Sequence, residues 1–319
     1  MNPIHFSVVT RTKNRNDLLL RNIKSVSSQS YENFTHIILN DGGDKDAVDN
    51  LLPKKNAHIK VIHNKESVGI VAALNQAIRT TDKDTYIVIL DDDDSWHKDR
   101  LKDTAAFIEK SVAKVVAVKM DVVIETVENG ETKELKRFLH EESGDGEISL
   151  YKQCIRNYLS NGAIAYHRSL YDELNGYDES LPTAEDWDFG IRLLQKYDVP
   201  LLRTGESLVY YHQRPEAVGD LGNSVSDGVG TQEYAINLLR NRYLRQDMKK
   251  GTFGPGYIMN AVPYDERMVR RLEAHINLKF AESVAEMKGF LEHHLWQNFG
   301  KSVSAITRDL VNKVRRNRN

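Results

Sequence analysis

Thr85-Tyr86-Ile87-Val88-Ile89-Leu90-Asp91-Asp92-Asp93-Asp94-Ser95-Trp96 sets a mainly apolar run directly ahead of four consecutive aspartates. A short apolar run bounded by polar residues is the pattern of a strand buried on both faces. A strand core excludes charge, and adjacent carboxylates repel one another, so the aspartates belong at the strand's exposed end, where a cation can neutralise them. Hard divalent ions such as Mg²⁺ or Mn²⁺ take oxygen ligands and sit between one or two carboxylates and a substrate's phosphates. One reading is therefore a metal-dependent enzyme acting on a phosphorylated donor. The other is a solvated acidic turn, which is what most charge runs are.

Upstream of this stretch, short apolar runs alternate with helical patterns. Residues 5–10, 35–40 and 59–62 read as strands, and Leu19, Leu20, Ile23 and Val26 recur at helical spacing. A further helix is expected through Ala72, Ala73, Ala77 and Ile78, and another over 99–110. Strand alternating with helix predicts an α/β fold whose central sheet is mainly parallel, with helices on both faces. Ligands of such sheets bind beyond the carboxyl ends of the strands, where Thr10-Arg11, Asn40-Asp41 and Asp91 to Asp94 are placed.

Downstream, 112–124 is β-rich and 125–146 turns charged, the pattern of a hairpin or excursion. A helix is expected over 185–197, a final strand over 201–211, a mobile loop over 213–230 and a helix over 232–249. Met268, Leu272, Ile276, Phe280, Val284, Met287, Leu291 and Leu295 then form a stripe suited to packing on the rest of the chain or on a second copy. The expected division is a catalytic domain over 1–230 and a C-terminal helical region over 231–319.

At 319 residues, with 40% hydrophobic and 28% charged residues, the composition is that of an ordinary globular protein. A net charge of -2 argues against a nucleic-acid partner. The single cysteine, Cys154, excludes a disulfide framework and a cysteine-based zinc site. With no secretory signal and no long apolar stretch, the expected compartment is the cytoplasm.

Taken in order, several stretches resemble the family 2 glycosyltransferases, whose catalytic domain is a nucleotide-binding fold of the GT-A type. They are Val8 through Arg15, Leu39-Asn40-Asp41-Gly42-Gly43, Asn64 through Gly69 to Asn75, Leu90 through Trp96, and Glu185-Asp186-Trp187-Asp188. The resemblance implies inverting transfer of a sugar from a nucleotide-sugar donor, UDP-linked by preference, to a glycan or lipid-linked acceptor in cell-surface polysaccharide synthesis. It implies donor contacts at Thr10, Arg11, Arg15, Asn40, Asp41, Gly69 and Asn75, with Asn40 or Asp41 reading the base. Many members carry Arg where Leu74 stands.

Asp91-x-Asp93 matches the family's DXD element. The resemblance then has Asp91 and Asp92 contacting the sugar-nucleotide and Asp93 ligating Mn²⁺ or Mg²⁺. It makes Asp186 the catalytic base with Glu185 beside it, places Trp187 and Asn161 toward the acceptor, and offers His212 as a third metal ligand. Arg214 is expected to close over the diphosphate. A sugar nucleotidyltransferase would instead carry a glycine-rich loop after the first strand, and 10–16 contains no glycine. A non-catalytic glycan-binding protein that has kept the fold is the remaining alternative. The basic tail, with Lys301, Arg308, Lys313, Arg315, Arg316 and Arg318, reads as a docked helix or as a peripheral contact with an anionic membrane.

Overall fold

The computed structural model describes residues 3–53, 58–128, 131–140, 148–217, 219–223, 229–260 and 288. The expected alternation is present: β1 (Phe6–Thr12), α1 (Asn16–Ser27), β2 (Phe34–Asp41), α2 (Lys45–Leu51), β3 (Ile59–Asn64), α3 (Ile70–Arg79) and β4 (Tyr86–Ile89). After β5 (Ser95–Trp96) and α4 (Arg100–Ser111) come β6 (Val115–Val118), β7 (Met120–Glu128), β8 (Glu131–Leu139) and α5 (Leu150–Ile155). The order continues through β9 (Ile164–His167), α6 (Arg168–Glu173), α7 (Glu185–Leu194), β10 (Leu201–Leu202), β11 (Val209–Gln213) and α8 (Val229–Lys250).

The central sheet runs β10-β6-β9-β4-β1-β2-β3. It is mainly parallel, with β9 antiparallel to both of its neighbours. Because successive strand residues point to opposite faces, the core divides in two. Val9, Ile37, Ile87 and Ile89 pack with Val71, Leu74 and Ile78 of α3 and Phe189 of α7. Their neighbours Val8, Val88 and Leu90 pack with Val26 of α1 and Leu101, Ala105 and Ile108 of α4. A central strand such as β4 is therefore buried at every position, which explains its unbroken apolar run.

One expectation is corrected here. The single final strand over 201–211 is two: β10 ends in the central sheet beside β6, while β11 belongs to a second sheet, β5-β11-β7-β8. The chain also passes between these sheets at Lys119, where β6 gives way to β7. The chain divides into two compact units, Met1–Asn260, which carries the sheets, and Ala261–Asn319. Leu239, Tyr243 and Met259 pack against Trp187, Ile191 and Cys154, so α8 completes the catalytic unit's core. The stripe over 268–295 and the basic tail lie outside the described residues apart from residue 288, as do 141–147, 218 and 224–228 of the expected excursion and loop. Among the described residues no helix is long and apolar enough to cross a membrane.

Candidate functional site

After β3 the chain returns to place β4 on the other side of β1, so the crevice between the carboxyl ends of β1 and β4 is the sheet's switch point. Arg11 and Arg15 lie at one side of it and Asp91 to Asp94 at the other. The strand ends are fixed from beneath. Thr10 Oγ1 donates to the Leu90 carbonyl at 2.9 Å, and Asn22 Nδ2 donates to the Asp91 carbonyl at 2.9 Å.

Of the four aspartates only Asp91 shows substantial side-chain surface, 37% exposed, while Asp92, Asp93 and Asp94 are buried. Arginines meet the buried ones. Arg15 donates to Asp92 Oδ1 at 2.6 Å and to Asp93 Oδ2 at 2.9 Å, and Thr12 Oγ1 donates to Asp92 Oδ2 at 2.8 Å. Arg214, 1% exposed, donates to Asp93 Oδ2 at 2.7 Å and to Glu125 Oε2 at 3.2 Å. Arg21 donates to Glu125 Oε1 at 2.7 Å and to the Asp93 carbonyl.

His212 joins this network but not as a partner of Asp93. Its Nδ1 faces Glu125 Oε1 at 2.8 Å, its Nε2 faces Ser95 Oγ at 2.8 Å, and its backbone N–H donates to Asp94 Oδ1 at 2.9 Å. Burial lowers the imidazole's pKa, so the ring is neutral near pH 7. Ionised Glu125 only accepts, so Nδ1 carries the proton and Nε2 accepts from Ser95. Both ring nitrogens thus have protein partners, Glu125 and Ser95, in this arrangement. Burial works against Glu125's charge, but the His212 hydrogen bond and the Arg21 guanidinium outweigh it and pull its pKa down to about 2. Glu125 stands where the β7–β8 pairing shifts register between Ile124 and Glu125. Such a bulge re-aims a side chain.

At the crevice's other wall α7 begins with Glu185 and Asp186, after Ala184 in the left-handed conformation (φ 62°). Arg11 spans the gap, with Nε 3.3 Å from Asp91 Oδ1 and Nη1 donating to Glu185 Oε1 at 2.9 Å. Asn161, buried and held by the Tyr177 hydroxyl at 2.9 Å, donates to the same Glu185 oxygen at 3.3 Å. Asp186 is half-buried. It accepts from Asn157 Nδ2 at 2.8 Å and from the Trp187 backbone N–H at 2.7 Å. Burial, then the charge of Glu185, push its carboxyl up to about 7, against the Trp187 N–H, Asn157 and Arg11. A carboxyl poised near neutrality is suited to take a proton from a hydroxyl. If it does so, kcat/KM rises with pH through an acid limb near 7. Because Asn157 favours the ionised form, Asn157→Leu should move that limb to higher pH, and an unmoved limb would detach Asp186 from the titration.

The remaining expected contacts are placed differently. Thr10 is fully buried, its hydroxyl also 2.9 Å from His36 Nε2, and it supports the strand ends instead of facing a ligand. Asn40 is buried too, spent on Gly43, Asp44 and His63. Asp41 accepts from Asn64 Nδ2, Ser67 Oγ and the backbone N–H groups of Val68 and Gly69. These bonds outweigh burial and hold its carboxyl below the usual range. They pin the loop whose Gly69, at φ 96°, opens α3 on the exposed side. Gly42 lies beneath that loop: a Cβ there would meet Ser67 N at 2.5 Å.

Asn75 is a core strut, donating to the Tyr177 carbonyl and Glu179 and accepting from the Tyr171 hydroxyl. Leu74 beside it is fully buried. Trp187 is 6% exposed, packs with Leu239 and Tyr243, and donates to the Gln153 carbonyl, so it is a core aromatic and not an acceptor platform. Thr12, Arg21, Glu125 and Asn157 escaped the sequence reading. Only Glu125 left a visible mark, a lone acid ending the apolar Val122-Val123-Ile124.

Among the described residues, seven carboxyl groups (Asp91 to Asp94, Glu125, Glu185 and Asp186) meet four guanidinium groups (Arg11, Arg15, Arg21 and Arg214). Burial raises Asp91, takes Asp92 up to about 7 and raises Asp94 well above the ordinary carboxylate range, against arginines that do not offset it. That shortage of positive charge, with an all-oxygen donor set, suits a hard divalent cation. Among the described residues no group of three or more His, Cys, Asp or Glu side chains is arranged to hold a metal ion, so substrate oxygens would have to complete any cation site here.

Residues 7–174 match the sequence model described as Glycosyl transferase family 2. The uncharacterized glycosyltransferase YwdF of Bacillus subtilis (strain 168) is 28% identical over 273 residues, 84% of this chain and 92% of that protein. WcaA of Escherichia coli (strain K12), named as a putative colanic acid biosynthesis glycosyl transferase, is 29% identical over 201 residues, 62% of this chain and 69% of that protein. In fold the chain is similar to S. aureus TarS 1–349, with a TM-score of 0.55 at 19% identity over 76% of this chain and 66% of that one. TarS 1–349 also matches in its complexes with UDP and UDP-GlcNAc, with TM-scores of 0.54 and 0.55.

Proposed function

Since the chain belongs to glycosyl transferase family 2, we propose that it moves a sugar from a UDP-linked donor onto a glycan or lipid-linked acceptor, with inversion, in the synthesis of a cell-surface polysaccharide. The observation carrying this reading is the Arg11 bridge, which sets the partly exposed Asp91 against the Glu185-Asp186 helix start across one crevice. The donor's diphosphate would lie toward Asp91 and Asp93, and its anomeric carbon toward Asp186. Asp186 takes the acceptor hydroxyl's proton as that oxygen bonds to the anomeric carbon, and the carbon–oxygen bond to UDP breaks on the opposite face. Mg²⁺ or Mn²⁺ held by Asp91 and Asp93 would supply compensation for the charge of the departing diphosphate. The UDP choice draws on the TarS complexes, and the polysaccharide context on the name of WcaA.

The test is a thermal-shift screen of nucleoside diphosphates and UDP-sugars with and without Mn²⁺. Ligand present at about a hundred times its Kd adds about 2.7 kcal/mol to stability, a shift well above noise. UDP should stabilise the chain only with metal, and Asp91→Asn, at the most exposed of the four aspartates, should abolish that dependence. Equal stabilisation with and without metal would sink the cation role, and no response to any UDP compound would sink the donor assignment.

A further inference from the structure

The end of α8 presents a surface that the transfer reaction does not use. Phe253 is 92% exposed, Met248 is 65% exposed and Tyr257 is 37% exposed, and the Phe253 and Tyr257 ring centroids lie 4.8 Å apart. Arg245, Lys249 and Lys250, next to them in sequence, are exposed. Asp247, the acid within this turn, is buried and spent on capping it, its carboxylate accepting from the Tyr257 backbone N–H at 3.2 Å. An exposed aromatic pair preceded by exposed cations, with the neighbouring Asp247 turned inward, is complementary to a surface that is apolar beneath and anionic on top.

We propose that this turn, Met248 to Tyr257, docks the enzyme on an anionic lipid bilayer. Phe253 and Met248 enter the boundary between headgroups and acyl chains, Tyr257 sits at headgroup level, and Arg245, Lys249 and Lys250 pair with lipid phosphates. The turn is tied to the chemistry by packing. Leu239, Tyr243 and Met259 pack against Trp187 and Ile191 of α7, and the Tyr243 hydroxyl donates to Asp188 at 3.1 Å. The first turn of α7 carries Glu185 and Asp186. The inference concerns the surface alone, and it holds whichever sugar is moved.

The full chain, without donor, is sedimented with vesicles of phosphatidylcholine alone or containing about 30% phosphatidylglycerol, a level high enough for the headgroup charge to attract a basic segment. Binding is expected to the anionic vesicles, weakening as salt rises. Phe253→Ser with Tyr257→Ser should lower partitioning by about tenfold or more, the scale of losing one buried aromatic. Lys249→Glu with Lys250→Glu should remove the preference for anionic lipid. Both pairs are solvent-exposed, so folding and UDP binding should be unchanged. Phe253→Trp adds a direct readout: the emission it adds over that of the wild-type chain, whose own tryptophans are the background, should become quenchable by brominated lipid only when anionic vesicles are present. Absence of binding, binding indifferent to the aromatic pair, or added emission in Phe253→Trp, measured as the difference from the wild-type chain with its buried Trp96 and Trp187, already shielded from water before any vesicle is added would each overturn the proposal. The last would mean that residues 261–319 or a second copy cover the turn.

Discussion

Asp186→Asn is expected to lower kcat by about 10²–10⁴-fold, the usual contribution of a positioned general base, with little change in donor affinity. The substitution is nearly isosteric, and it replaces a carboxyl that burial and Glu185 already push toward its neutral form, so the fold should tolerate it. What it removes is a partly open group beside Glu185 that is able to change protonation near pH 7. The acid limb of the pH profile should vanish along with the rate. A variant that loses the rate but keeps a limb near 7 would shift the base to another carboxyl, with Asp92 next in line because its pKa is also raised to about 7. A rate within about tenfold of wild type would end the base assignment, since loss of a base at Brønsted-matched pKa cannot cost so little.

Arg214→Ala is expected to be the most destabilising single change in the site, costing roughly 3–5 kcal/mol. The guanidinium is 1% exposed and is shared by Asp93 at 2.7 Å and Glu125 at 3.2 Å, both with side chains under 10% exposed. Its removal leaves two buried carboxylates short of charge, with only Arg15 and Arg21 beside them. The melting temperature should fall by roughly 10 °C, and Arg214→Lys should recover only part of it, because an ammonium cannot reproduce the forked contact. A fall of about 2 °C or less would show that water screens Asp93 and Glu125 far better than their burial implies. Without donor, Arg214 is a strut that also donates to the Leu221 carbonyl at 2.7 Å.

How far the sequence carried can be judged from particular residues. Asp91 to Asp94 had to terminate a buried strand because charge cannot lie within one, and the structure ends β4 at Ile89, just before Leu90 and the run. Glu185-Asp186 opened a helix as their acidity at a helix start suggests. Asn75 and Trp187 looked like ligand contacts by their place in the family pattern, yet both are core. A polar or aromatic side chain at a given spacing does not reveal whether it points into a cleft or into the neighbouring helix. The single expected strand over 201–211 failed for a similar reason: apolar patterning reports burial but not which of two sheets does the burying.

The chain's sequence alone determined the alternating fold and the strand-end position of the acids, which follow from local rules of charge, burial and periodicity, each readable within a dozen residues. The family came instead from the resemblance of separated stretches taken in order, and the match over 7–174 bears it out. Tertiary structure alone decided who neutralises those acids. Arg15, Arg21 and Arg214 converge from separate elements, His212 turns toward Glu125 and Ser95, and Arg11 joins Asp91 to Glu185, 94 positions apart in the numbering. Such pairings depend on how helices and sheets pack, because a Coulomb contact is set by distance in space, and nothing in the linear order of residues records it.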